Sequence, residues 1–212
     1  MLTIHTADLV VFGDGRPSLP GGAVLVEGRE FAAVEVYEDL AAAHPTARVR
    51  RWPGVLTPGL VNPYGPELLE RSYHPDPRED LGSEPITGEA LSGLDMTDAR
   101  WGASARRGVQ RLLAHGVVAV AGDLQTPAVA DALYRVGMTS EERFEAPPGR
   151  PGFDPLIGRS LAEAILTPLL PHMGSDATFA AFDVPDEAAL TKSGATACVA
   201  TVIKGRLLHR RR

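Results

Sequence analysis

The sequence predicts a mixed α/β (α+β) fold, with β-rich segments at both ends of the chain and an inserted helix–strand stretch between them. Three observations predict it. Runs of Val, Ile and Leu broken by glycine turns fill residues 1–37. A β-branched run occupies residues 196–203. Between them, Trp101, Ala105, Val109, Leu112 and Leu113 recur at helical spacing, and the apolar run Val117-Val118-Ala119-Val120-Ala121 follows at once. Two β segments, each too small to bury a core alone, are expected to close into one unit. Residues 1–60 and 176–209 are therefore assigned to one discontinuous β domain, and residues 61–175 to the insert.

The elements follow in order. Residues 2–12 form the first β run, turned by Gly13-Asp14-Gly15. Gly21-Gly22 leads into Ala23-Val24-Leu25-Val26-Glu27, and Gly28-Arg29 turns the chain into residues 31–36. Residues 38–44 read as a short helical turn ended by Pro45, and residues 47–52 as another strand. At Pro58-Gly59, glycine and proline inside a β-like run mark a backbone that bends or approaches something closely. Asp95 or Thr97 caps a helix running to Ala114, ended by His115-Gly116. Thr126 and Pro127 are an N-cap and first-turn pair for a helix to Val136, stopped by Gly137. A third helix is expected over residues 159–170, and a last short strand at Leu207-Leu208. Residues 71–95 and 139–158, dense in Pro, Gly and charge, read as disorder or a loose surface wrap, or else as ligand-covering flaps.

Residues 50–67 read RRWPGVLTPGLVNPYGPE. This stretch resembles the start of the barrel in metal-dependent amidohydrolases, where a PGLVNAHTH motif carries two metal-binding histidines. It looks most like the aminodeoxyfutalosine deaminase and imidazolonepropionase branch. Pro58, Gly59, Leu60, Val61 and Asn62 match; the two histidine positions hold Tyr64 and Pro66. ADLVVFGDG…GGAVLVEGREFAAV resembles the first half of that family's flanking β-sandwich, and GSDATFAAFD at 174–183 the approach to its second half. The strand at 117–121 with the helices beside it resembles the family's elLxxGvTtvxd segment. The resemblance implies an amidohydrolase-type composite β-sandwich with an inserted, truncated β/α-barrel remnant. Only 114 residues run from 62 to 175, against about 250 for a full eightfold barrel.

A hydrolytic zinc-type site needs roughly three protein ligands and an open position for water. Proline has no donor atom and a neutral phenol is a poor ligand, so the expected metal and cofactor content is none, and no catalytic residue is assigned. Of the six histidines, His5, His44, His74, His115, His172 and His209, none forms an HxH or HExxH pattern. His74-Pro75-Asp76 is the one close His/Asp pair and reads as two solvent-facing polar side chains in a Pro-rich loop. Asn62 and Tyr64 follow one strand and Asp123 follows another, at the end where α/β proteins build sites. These three are the candidate ligand-binding residues, expected to line one pocket. Cys198, in an apolar strand, reads as an inert buried thiol. Trp52 and Trp101 read as core anchors.

Net charge of −6 gives no bulk attraction to nucleic acid or anionic membrane. The basic end, His209-Arg210-Arg211-Arg212, reads as a solvated tail. A single cysteine excludes an internal disulfide and fits a cytoplasmic setting, and no run of eighteen apolar residues suggests a membrane span. Apolar helix faces that a complete barrel would cover are expected to drive formation of a homodimer or binding of a partner protein. Two functions remain open. One is a catalytically degenerate amidohydrolase-like protein that binds, scaffolds or assists. The other is an altered hydrolase or deaminase acting on a small C–N-bonded nucleoside or imidazolone-like compound. A weaker third, from the family branch alone, is an accessory role in futalosine-route menaquinone biosynthesis.

Overall fold

Glycine turns cut the N-terminal β run into short strands. β1 (Leu2–Thr6), β2 (Leu9–Val10), β3 (Leu19–Pro20), β4 (Gly22–Glu27) and β5 (Glu30–Val36) precede α1 (Tyr37–Ala43). Next come β6 (Arg48–Arg51), β7 (Val55–Pro58) and β8 (Leu60–Asn62), then α2 (Gly65–Leu69), β9 (Ser72–Tyr73), β10 (Ile86–Thr87), α3 (Gly88–Ser92) and the long α4 (Asp98–Leu113). β11 (Val117–Ala121), α5 (Pro127–Val136), β12 (Thr139–Glu141) and α6 (Leu161–Ala164) lead to β13 (Phe179–Phe182), α7 (Glu187–Ser193), β14 (Cys198–Ile203) and β15 (Arg206–Arg210). The computed structural model describes residues 1–171 and 174–211. His172 and Arg212 of the sequence reading lie outside the described residues.

The fold is a mixed α+β one with open sheets; no closed barrel forms among the described residues. Two compact units divide the chain: Met1–Val61, Leu113–Val118 and Asp154–Arg212 form the first, Asn62–Leu112 and Ala119–Phe153 the second. The sequence alone divides the chain at 60/61 and 175/176.

In the first unit, one sheet has the order β5-β4-β1-β6 and the other β15-β14-β13-β7-β2-β3. Side chains alternate across a strand, so each strand supplies two layers. Val24 and Val26 of β4 meet Leu56, Phe179, Ala181, Ala200 and Val202 of the other sheet in one buried cluster. Ala23 and Leu25 turn the other way, onto Leu40 of α1. Ala180 and Phe182 of β13 join Leu161 of α6 and Leu190 of α7. β13 reads Phe-Ala-Ala-Phe, apolar at every position, because both its faces are covered.

The close approach expected at Pro58-Gly59 is present. A Cβ on Gly59 would stand 2.3 Å from Val118 Cγ2. The helix expected over 159–170 shrinks to α6. Its capping box is complete, with Ser160 and Glu163 each bonding the other's backbone N–H. Ile165 then turns extended, because it bridges Leu60 and Leu166 N–H donates to the Gly59 carbonyl at 3.0 Å. The solvated tail is also corrected: His209 and Arg210 belong to β15, paired with Thr201 and Ala200.

In the second unit, β12 runs parallel to β11, with Ala119 opposite Thr139. The wraps at 71–95 and 139–158 contain structure. β9 pairs with β10, Tyr73 opposite Ile86, and β12 lies in the later stretch. α5 begins at Pro127 and ends at Gly137, whose φ of 81° is the left-handed conformation glycine allows. Thr126 stands at the N-cap but its side chain makes no capping bond. The Glu70 carboxylate accepts from the N–H groups of Gln125 and Thr126 instead. The apolar face of α4 is not exposed: Val109 and Leu112 are fully buried. No helix among the described residues is long and apolar enough to cross a membrane.

Candidate functional site

α2 begins directly after β8, with Gly65 and Pro66 in its first turn. Proline suits that position because its missing N–H has no helical partner there. A Cβ on Gly65 would lie 2.9 Å from the Ala121 carbonyl oxygen, so only glycine lets α2 start this close to β11. That geometry brings Asn62, Tyr64 and Glu67 near the ends of β11 and β12.

Asn62 is fully buried. Its Oδ1 accepts from Tyr64 N–H at 2.9 Å, and its Nδ2 donates to the carbonyls of Gly152 at 2.9 Å and Phe153 at 3.1 Å. Tyr64 donates its hydroxyl hydrogen to the Pro148 carbonyl. Both side chains fasten the segment 148–153. Asp123 is exposed and lines a hollow of about 470 Å³ with Leu124, Gln125, Leu133, Tyr134 and Met138. Asn62 and Tyr64 are not among its walls.

The sequence reading missed Glu67 and Arg143. Arg143 Nη1 lies 2.9 Å from Glu67 Oε2 and Nη2 lies 3.1 Å from Oε1, a two-pronged ion pair. Nη1 also donates to the Pro63 carbonyl at 2.8 Å. Burial pushes the Glu67 carboxyl up, but its hydrogen bond from Arg143 and the charges of Arg143 and Arg71 outweigh this and hold it below the ordinary carboxylate range. Arg143 is held above its ordinary value, first by that same bond and also by the charge of Asp123. A signal existed in the acidic residue of a helix first turn, but its partner lies 76 positions away.

His74 is 2% exposed, which corrects the surface reading. Its Nε2 lies 2.7 Å from the Leu68 carbonyl, and its backbone N–H donates to Ser104 Oγ. Burial, with Arg111 and Arg107 nearby, keeps the ring's pKa low despite that carbonyl. Cys198 is buried and its thiol is pushed up to about 11 by burial, so it holds its proton at neutral pH. Trp52 is buried, as expected, and Trp101 half-buried.

Tyr64 and Pro66 stand at the motif's histidine positions, Glu67 is engaged by a guanidinium, and no group of three His, Cys, Asp or Glu comes together among the described residues.

No family model matches the chain. No curated protein matches it. Among solved structures, it is similar to A. niger ochratoxinase, at 24% identity and TM-score 0.45 over 66% of this chain and 30% of that one. It is similar to an adenosine deaminase from Xanthomonas campestris with bound zinc, at 18% identity and TM-score 0.44 over 65% and 32%. It is similar to Helicobacter pylori aminofutalosine deaminase, at 15% identity and TM-score 0.39 over 67% and 33%. The chain spans about a third of the length of each.

Proposed function

We propose that this chain works by binding, as a non-hydrolytic relative of amidohydrolases. The observation that carries the reading is the Glu67–Arg143 ion pair beside Tyr64 and Pro66. A divalent cation brought to Glu67 would have to displace a guanidinium fixed about 3 Å away and would meet its repulsion. Asp123 is the ligand-facing residue of this proposal, and Asn62 and Tyr64 shape the segment beside it. A carboxylate above Leu124, Leu133 and Met138 suits a small molecule with an apolar body and an N–H donor. Assembly with a second copy or a partner protein, as part of the same proposal, would use Tyr134 and Phe144, which are 82% and 90% exposed.

Titration of the purified chain with equimolar zinc tests it. The expected result is no saturable binding and no change in melting temperature on adding EDTA. Saturable zinc binding that disappears in Glu67→Gln overturns the proposal.

A further inference from the structure

Two basic stretches far apart in the sequence meet in the first unit. β6 is the edge strand of its sheet and runs parallel to β1, with Arg48 opposite Thr3 and Arg50 opposite His5. By alternation, Arg48 and Arg50 share the face of His5, and Arg51 takes the other face, where it donates to the Tyr37 hydroxyl at 2.8 Å. In β15, Arg210 lies opposite Ala200 and Leu207 opposite Val202, with a register shift between them. Ala200 and Val202 belong to one buried cluster, so Leu207 and Arg210 share a face although they are three residues apart. The Arg210 guanidinium carbon stands 5.9 Å from the Trp52 ring centroid.

The result is a cavity of about 240 Å³ lined by Arg48, Val49, Arg50, Arg51, Trp52, Leu207 and Arg210, with no carboxylate in its lining; the Arg51 guanidinium is taken up by the Tyr37 hydroxyl, which leaves those of Arg48, Arg50 and Arg210. Several other arginines sit beside a carboxylate: Arg29 with Asp176, Arg100 with Glu79, Arg143 with Glu67. Among the described residues, Arg48, Arg50 and Arg210 have no ion-pair partner, in a chain of net charge −6. Burial lowers the Arg50 pKa, and the charges of Arg48 and Arg210 lower it further. His5, packed on Trp52, is held neutral down to about pH 3 and adds no charge.

We propose that this pocket binds a compact, multiply charged oxyanion of phosphate chemistry, either inorganic pyrophosphate or the phosphates of a small ester. Planar guanidinium forks match phosphate oxygens two at a time. A single carboxylate would neutralise one of the three charges and leave two facing each other. The small cavity and the overall negative charge favour a compact anion over a polynucleotide.

Isothermal titration of the whole chain at low ionic strength, with pyrophosphate and separately with ADP, tests the proposal. Saturable one-to-one binding of either probe is expected, weakened about tenfold in Arg50→Gln and in Arg210→Gln and unchanged in Arg78→Gln. Tighter binding of pyrophosphate identifies the bare oxyanion as the ligand, and tighter binding of ADP the ester. Relief of like-charge crowding should leave the melting temperature of Arg50→Gln no lower than that of the parent, which separates lost binding from lost folding. No saturable heat with either probe, or equal weakening in Arg78→Gln, overturns it.

Discussion

Asn62 uses both donors and its acceptor within the protein, and this alters what its position means. A carboxamide at the end of a strand reads as a ligand contact; here it is a strut holding residues 152 and 153. The same holds at Glu67, 17% exposed, and Arg143, 19% exposed. Arg143→Ala leaves a half-buried carboxylate without its partner and is expected to lower unfolding free energy by about 1–3 kcal/mol at neutral pH. The Glu67 pKa lies below its ordinary value of 4.5. Its contribution is therefore present above that value and is lost as pH falls through the folded-state pKa. Urea unfolding at pH 7 and pH 3 should show the gap between parent and variant shrinking in acid. A gap independent of pH would remove the ion pair from the account.

At the scale of elements, Gly59 ties a sequence motif to a packing event. Val118 is β-branched and stiff about its first side-chain torsion, so it cannot swing away from an added methyl group. Gly59→Ala is expected to destabilise by about 1–3 kcal/mol, and Val118→Ala in the same chain should recover part of that loss in chemical denaturation. Simple additivity of the two changes would refute the steric explanation. α5 was legible because its signals are local: proline at the start and glycine at the end. Residues 159–170 were not, because Ile165 and Leu166 answer to Leu60 and Gly59 about a hundred positions away. The cap at Ser160 was a true start signal with no local mark of how soon the helix would stop.

For the molecule as a whole, buried histidine sets the response to acid. His5 lies between Trp52 and Phe179, accepts from the indole N–H at 3.1 Å, and has its pKa lowered to about 3 by burial and then by Arg50 and Arg48. The unfolded chain takes up a proton near pH 6.5, the folded one does not, so stability falls as pH drops from 6.5 toward 3. The loss attributable to this one group by pH 4 is on the order of 3 kcal/mol. His5→Gln keeps an acceptor for Trp52 and should flatten the pH dependence of the melting temperature across that window. An unchanged slope would shift the effect to other groups, His74 first, since its pKa is lowered in the same sense.

The sequence by itself determined the β-rich ends, the long amphipathic helix, the strand after it, the close approach at Gly59, and the absence of imidazole at positions 64 and 66. Each depends on residue type or on a period of a few residues, which local sterics and burial read directly. Tertiary structure alone decided that Asn62 and Tyr64 point to backbone, that Asp123 faces a hollow, that Arg143 meets Glu67, and that Arg48, Arg50 and Arg210 crowd one cavity. Apart from the hollow at Asp123, which residues 124–140 line, those pairings join positions at least 76 residues apart, and they are set by strand register and chain crossing, which no local pattern encodes.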